Sequence, residues 1–407
     1  MDTDPEVRQK KASTGRRWLR RTAYGILAVV CAILGLSAAG NLFPPTRSDP
    51  IDRLSDLDKA RIAEALRLRR TFGDLVWPGW SNANIPLILY NEAYAFLCGA
   101  DHPGPGWRTV PGNRKRGGQW AAVPDIPIDG RQYYRQRLVG ERASPQAFTV
   151  RVGDLWAASM ITRDWTKIKM GNDIRDGFPS VIKAFVPYRL IARMFLGLAM
   201  NGDGYICVIE HESFHAYQGI VSANRLADAE TALIDAGAKY PWADSQFNEQ
   251  WKAELNALAD ALPETQEKST ADSAARFISL RRARRLAFHL DSAMVDLERA
   301  REWEEGLAKY AELAIWKCAA SDPAYKPVQA LSADPDFHGY RTFAAKWAEE
   351  RATLRLQSHA EDNRFYYSGM AQAFLLDRLN PGWKKTVMQN VFLEDLLSQA
   401  LNDRSEP

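Results

Sequence analysis

Ile206-Cys-Val-Ile-Glu-His-Glu-Ser-Phe-His-Ala-Tyr-Gln218 is the stretch from which the rest of the chain is read. Within it, His211-Glu212-Ser213-Phe214-His215 has the pattern H-E-x-x-H. Apolar Ile206, Val208, Ile209, Phe214 and Tyr217 surround the polar residues, a spacing that predicts a half-buried helix. In a helix, residues four apart stand one turn apart on the same face. His211 and His215 can then ligate one zinc ion, with Glu212 beside them to handle the proton of a water molecule. Histidine is scarce, at 6 of 407 residues, which makes the pairing a specific signal. The competing reading is two histidines and a glutamate on a solvated helix face.

A metal site needs a third ligand. The continuation H-E-x-x-H-x-x-G-x-x-H fails, because Gln218 and Val221 occupy its glycine and histidine positions. Far downstream stands Trp303-Glu304-Glu305-Gly306-Leu307-Ala308-Lys309-Tyr310. Together the two stretches resemble the gluzincin superfamily of zinc metallopeptidases, whose third ligand is a glutamate on a second helix. In its aminopeptidase branch that helix carries a W-x-x-E-G-x-A-x-Y-like signature. Gly306, Ala308 and Tyr310 match, and Glu305 falls on the ligand position. Glu304 stands where asparagine is usual, and Trp303 is one residue closer to the glutamate than the signature asks. The gap of 90 positions from His215 to Glu305 is several times the family's usual gap and requires a helical insertion, about 221–300.

A third motif is Phe365-Tyr366-Tyr367-Ser368-Gly369. In the same enzymes, a tyrosine three residues before a glycine hydrogen-bonds the oxyanion. Tyr366 has that spacing and Tyr367 is its neighbour; core aromatics opening a helix are an equal reading of the same residues. Gly197-Leu198-Ala199-Met200-Asn201 superficially resembles the family's amine-binding element. It lacks a glutamate between Met200 and Asn201 and stands too near His211, so that role is not carried over. The resemblance covers roughly residues 200–385.

The chain before these motifs supplies the topology. Residues 1–21 form a basic tail with Arg8, Lys10, Lys11, Arg16, Arg17, Arg20 and Arg21. An apolar segment follows within 22–43, uncharged from Thr22 to Gly40 and of the length that crosses a bilayer once. The preceding positive charge predicts a cytoplasmic N-terminus and an extracytoplasmic catalytic domain, periplasmic in a bacterium. Both an uncleaved signal anchor and a signal peptide cleaved near Ser37-Ala38-Ala39 fit this segment, and both place the domain outside the cytoplasm. Residues 44–56, with Pro44, Pro45 and Pro50, read as a linker to a domain spanning 57–407.

In that domain, Leu54 to Leu75 reads as an amphipathic helix. Ile85 to Tyr90, Ala93 to Cys98, Gln146 to Val152 and Leu155 to Ile161 read as strands, and 101–118 as loop. The resemblance implies a small sheet with one edge beside the cleft. Residues 223–236, 247–262 and 271–300 read as helices, as do 188–199, 342–358 and 366–379. Arg281-Arg282-Ala283-Arg284-Arg285 reads as a solvated face and His289 as a packed core histidine. The lone loop His102 reads as solvated. Cys98, Cys207 and Cys318 leave room for one disulfide without a C-x-x-C pair. Net charge of +3, partly in the tail, gives no nucleic-acid face.

The expected fold is therefore α+β and predominantly α-helical. It comprises one transmembrane helix and a zincin-like core: a small β-sheet, the H-E-x-x-H helix and a glutamate-bearing helix, with a helical insertion. The resemblance implies a membrane-anchored metallopeptidase acting on a peptide or protein substrate. His211, His215 and Glu305 would hold Zn2+, Glu212 would be the base, and Tyr366 or Tyr367 the oxyanion donor. The alternative is a catalytically inactive, membrane-tethered zinc-binding or scaffold protein of the cell envelope.

Overall fold

A computed structural model of the chain describes residues 5–140, 144–145, 148–263 and 267–405. Residues 1–4 of the basic tail, and 146 and 147 at the head of a predicted strand, lie outside the described residues. Helix α1 runs Pro5–Asn41 and α2 Asp56–Val76. The strands are β1 (Leu87–Tyr90), β2 (Tyr94–Cys98), β3 (Trp107–Thr109), β4 (Lys115–Arg116), β5 (Ala121–Ala122), β6 (Tyr134–Arg137), β7 (Phe148–Val152) and β8 (Leu155–Ile161). Next come α3 (Arg163–Asp176), α4 (Ser180–Lys183), α5 (Tyr188–Ala199), α6 (Gly202–Gly237), α7 (Ser245–Ala261), α8 (Glu267–Ala287) and α9 (Ser292–Arg301). A π-helical turn, Glu302–Gly306, leads into α10 (Leu307–Ser321), followed by α11 (Phe343–Leu354), α12 (Asn363–Leu379), α13 (Lys384–Val387) and α14 (Leu393–Ser405). The chain is mostly helical with one mixed sheet, as the expected class requires.

Two compact units divide these elements: Met1–Ser48 with Arg163–Ala199, and Asp49–Thr162 with Met200–Pro407. Residues 163–199 of the predicted 57–407 segment thus group with the N-terminal helix. In the first unit, Arg21–Asn41 of α1 is long and apolar enough to cross a membrane, and its side chains are exposed up to Leu36. Helices α3 and α5 approach where Gly171 leaves room for the Tyr188 ring.

In the second unit the strand order is β4-β3-β7-β8-β1-β2-β6-β5, with β1 and β8 parallel and the other pairs antiparallel. The β1–β2 hairpin turns at Asn91, whose side-chain oxygen accepts from the amides of Ala93 (2.9 Å) and Tyr94 (2.8 Å). The sheet is larger than the expected small one. Residues 101–118, expected as loop, contain β3 and β4, strands too short to show alternation in the sequence. Strand β7 is not a sheet edge at Val150 and Arg151, where β3 pairs with it.

Helix α6 carries the H-E-x-x-H stretch. Asn201, part of the discarded amine-binding motif, caps it by accepting from the Gly204 amide at 2.8 Å. The Tyr205 hydroxyl then ties the helix to the sheet, donating to the Ile161 carbonyl at 2.7 Å. At Ser222 the helix kinks (φ −151°, ψ 52°), and the Ser222 hydroxyl donates to Met388 O at 3.0 Å. The predicted insertion begins at this kink and comprises the rest of α6 with α7, α8 and α9.

Three expectations in this region are corrected. The predicted helix 271–300 is broken at 288–291, where α9 restarts under the Asp291 cap on the Met294 amide (2.9 Å). His289 occupies that break with φ 50° and is exposed, not packed in the core. Arg281 and Arg284 are not solvated; both are buried. Arg281 bonds Glu254 (3.1 Å), Glu302 (2.5 Å) and Glu394 (3.1 Å), while Arg284 bonds Glu298 (2.6 Å) and Glu254. Arg285 and Arg299 complete the cluster on Glu298 and Glu394. Four guanidinium groups meet four carboxylates, which is what lets the charges leave water. No disulfide links Cys98, Cys207 and Cys318, which are free thiols.

Candidate metal centre

His211 and His215 project from one face of α6 towards Glu305 in the π-helical turn. Their Nε2 atoms are 3.2 Å apart. Oε2 of Glu305 is 3.2 Å from Nε2 of His215 and 3.4 Å from Nε2 of His211. All three side chains are buried. The sequence-predicted ligand set is therefore gathered at one point. A π turn widens the helix locally and re-aims a side chain, a distortion often found at functional sites. Here it is fitted against α12 by two glycines, for a Cβ on Gly306 would come within 2.4 Å of Gly369 Cα, and one on Gly369 within 2.4 Å of Glu302 O. The glycines of the E-G and Y-x-x-G motifs thus meet each other, bringing Tyr366 to the glutamate turn.

The groups behind the two histidines fix their orientation. Nδ1 of His215 is 2.9 Å from Oε1 of Gln218, whose own Nε2 donates to the carbonyl of Trp303 at 2.8 Å. The amide is thereby held with its oxygen towards the imidazole, so Nδ1 of His215 is the donor and Nε2 keeps its lone pair. Nδ1 of His211 faces Oε2 of Glu312 at 3.3 Å. Glu312 is held by Lys309 at 2.8 Å, and Lys309 also pairs with Glu350. Acceptors behind metal-binding histidines are the usual means of setting tautomer and ring angle. Sequence reading named neither role; the available signal was the spacing of Gln218, three residues after His215, and of Glu312, seven after Glu305.

Glu305 is divided between two tasks. Oε1 accepts from Arg301 at 2.9 Å, while Oε2 faces the histidines. Arg301 also binds Glu304 (2.5 Å), Glu230 (2.8 Å) and Asp362 (2.6 Å). Two residue sets bring potential ligand atoms within 4.8 Å of one another: His211, His215 and Glu305, and Glu230, Glu304 and Glu305. The second set already surrounds the Arg301 cation. The first presents two imidazole nitrogens and a carboxylate oxygen, and among the described residues no Lys or Arg bonds any of these three atoms. Such converging electron pairs repel unless a proton or a metal cation is shared, and N/N/O is a donor set suited to zinc. The residues fit the metal.

Electrostatics follow this crowding. Burial opposes charge on His211, but Glu305 and Glu312 outweigh it and push its pKa up to about 10. Glu305 lies well below the usual carboxylate range: burial would raise it, yet His215, His211 and Arg301 prevail. Glu212 is raised, chiefly by burial and in spite of both histidines, and its Oε2 is buried without a hydrogen-bond partner. On β1, Tyr90 is pushed up to about 12 by burial and then by the Glu212 charge, a proximity to Glu212 that the sequence did not reveal.

The two tyrosines separate. The Tyr366 ring stacks on His211 with centroids 5.9 Å apart and planes at 10°, and its hydroxyl interacts with Glu305. Tyr367 turns the other way, with Lys309 5.9 Å from its ring centre and its hydroxyl bonded to Glu350. Tyr367 is therefore withdrawn as an oxyanion donor: successive helical residues point about 100° apart, so only one of the pair faces the site. The Trp303 ring packs under Arg225, whose guanidinium carbon is 4.5 Å from the ring centre. His102 stays exposed on its loop.

Comparison with known protein families, curated proteins and solved structures finds no match.

Proposed function

We propose that this chain is a membrane-anchored zinc metallopeptidase with a zincin-type core, acting on peptide or protein substrates outside the cytoplasm. The observation that carries the reading is the meeting of His211 Nε2, His215 Nε2 and Glu305 Oε2, with Glu212 next to the first histidine. A merely structural zinc site has no need of that glutamate and tends to close its fourth position with a protein ligand. Zinc, when bound by these three side chains, supplies Lewis-acid charge that polarises a carbonyl and acidifies water. Glu212 takes the proton of the attacking water on its carboxylate and returns it to the leaving nitrogen; burial, which raises its pKa, favours the uptake. The Tyr366 hydroxyl donates to the developing oxyanion, an interaction that strengthens as charge builds there. Glu312 and Gln218 hold the imidazoles in place, and Arg301 holds the outer oxygen of Glu305.

The apolar stretch of α1 supports the membrane anchorage, and the basic residues before it support a cytoplasmic N-terminus. The test is a peptide-library digest by the zinc-loaded full chain. Cleavage that stops with a chelator, and is absent in Glu212→Gln despite retained zinc, is the expected outcome. Undiminished cleavage by Glu212→Gln would defeat the mechanism.

A further inference from the structure

The unit that contains α1 also carries a group of exposed apolar side chains close in sequence. Ile182 (49%), Phe185 (49%), Leu190 (51%) and Met194 (57%) are exposed on or beside α4 and α5. Their position relative to the apolar helix is fixed by hydrogen bonds. Asn41, the last residue of α1, donates its side-chain amide to the carbonyls of Lys183 (3.1 Å), Ala184 (2.8 Å) and Val186 (2.9 Å). Arg189 donates to the Phe43 carbonyl at 2.7 Å. A residue that ends a membrane span stands at the level of the lipid headgroups, and so do the groups tied to it. Leu42 and Phe43, just beyond the span, are exposed as well.

Charge supports the same placement. Residues 163–199 hold seven Lys or Arg against three Asp, although the whole chain is only +3. Among the described residues Arg189 and Arg193 form no ion pair, and on α5 they flank Leu190 and Met194. A groove of about 400 Å3 between α3 and α5 is lined by Lys167, Arg189 and Arg193 around Tyr188 and Leu190. Apolar side chains bordered by cations with long aliphatic stems are the make-up of a helix lying in a membrane interface.

We propose that Ile182, Phe185, Leu190 and Met194 insert into the headgroup layer beside the exit of α1, with Arg189, Arg193 and Lys167 binding anionic phospholipid. This surface rests on the reading of α1 as a membrane span. A soluble protein partner would also cover an apolar face, but it would not require the attachment of that face to the end of the span.

The test uses the full chain in nanodiscs, in a background of Cys31→Ser and Cys318→Ser. The other two cysteines, Cys98 and Cys207, are buried and do not label. A single environment-sensitive fluorophore is attached after Leu27→Cys in the span, Ile182→Cys or Met194→Cys. Phospholipids with a nitroxide near the headgroup or in the acyl chain act as quenchers. Quenching at 27, 182 and 194, with a roughly twofold or greater loss of emission at the last two, is expected. The loss at 182 and 194 should fall when anionic lipid is replaced by zwitterionic lipid. Quenching at 27 alone would overturn the interfacial surface while leaving the span intact. No quenching at 27 would overturn the span and the surface together. Equal quenching in both lipid mixtures would overturn the anionic-lipid contact.

Discussion

Oε2 of Glu305 lies 3.2 Å from Nε2 of His215, although 90 positions of chain separate the two residues. That contact is made by a π turn seated on the Gly306–Gly369 pair, and it is the reason a helical excursion as long as α7 to α9 does not disperse the site.

Residues behind the ligands should govern metal affinity without supplying a ligand atom. Gln218→Leu removes the acceptor at Nδ1 of His215, and Glu312→Gln weakens the one facing His211. Each is expected to lower zinc affinity roughly 10–100-fold, with stoichiometry restored at high zinc. Competition with a chromophoric chelator measures this. Affinities equal to wild type in both variants would show that the contacts orient nothing.

The tyrosine pair gives an internal control. Tyr366→Phe should reduce kcat for peptide hydrolysis by roughly 10²–10³ with little change in KM, the signature of a transition-state donor. Tyr367→Phe should leave kcat within about twofold, since its hydroxyl bonds Glu350 away from the metal face. Steady-state kinetics on one cleavable peptide decides between them, and the reverse ranking would return Tyr367 to the site.

The buried arginine cluster predicts an acid limb to stability. Burial would raise Glu394, but Arg281, Arg285 and Arg299 outweigh it and bring its pKa to about 2, from an ordinary value of 4.5; Glu298 is lowered in the same way. A depressed folded-state pKa adds stability that is complete above about 4.5 and is lost as pH falls through the folded value. The urea midpoint should therefore decline between about pH 4.5 and 2. In Glu394→Gln the midpoint should be lower at neutral pH and its acid decline shallower. A decline of unchanged steepness in that variant would mean the cluster does not set the acid limit.

Glu254 joins Arg281 and Arg284, two of the least accessible cations in the chain. Glu254→Ala leaves both short of a partner and should cost about 3–5 kcal/mol, read from the denaturant midpoint. Loss of under about 1 kcal/mol would show that the remaining glutamates suffice. Because Arg281 also bonds Glu302 at the start of the π turn, and Ser368 on α12 donates to the same carboxylate at 2.5 Å, weakened zinc binding should accompany the instability.

Local chemistry made some of this architecture legible. The helical phase of His211 and His215, the Glu305-Gly306 pair and the spacing of Tyr366 to Gly369 each carry their geometry in a few adjacent residues. Other features depend on partners far along the chain. Arg281 to Arg285 looks hydrophilic by composition, and its burial is evident only when Glu254, Glu298, Glu302 and Glu394 come together from other helices. Glu312 reads as one more polar residue on α10 until His211 is seen opposite it. Strands β3 to β5 have two or three residues each in a Gly- and Pro-rich region, too few for alternation to register. The bonds that tie 163–199 to the end of α1 and the residues after it come from Asn41, Asn172 and Arg189, which no periodicity reports.

Zinc content of the purified full chain, measured by elemental mass spectrometry for wild type and Glu305→Ala, tests the central claim most directly. About one zinc per chain in the wild type, with nearly all of it lost in the variant, is the predicted result. A wild type that takes up no zinc after loading, or a Glu305→Ala chain that keeps it with unchanged affinity, would contradict the three-ligand centre.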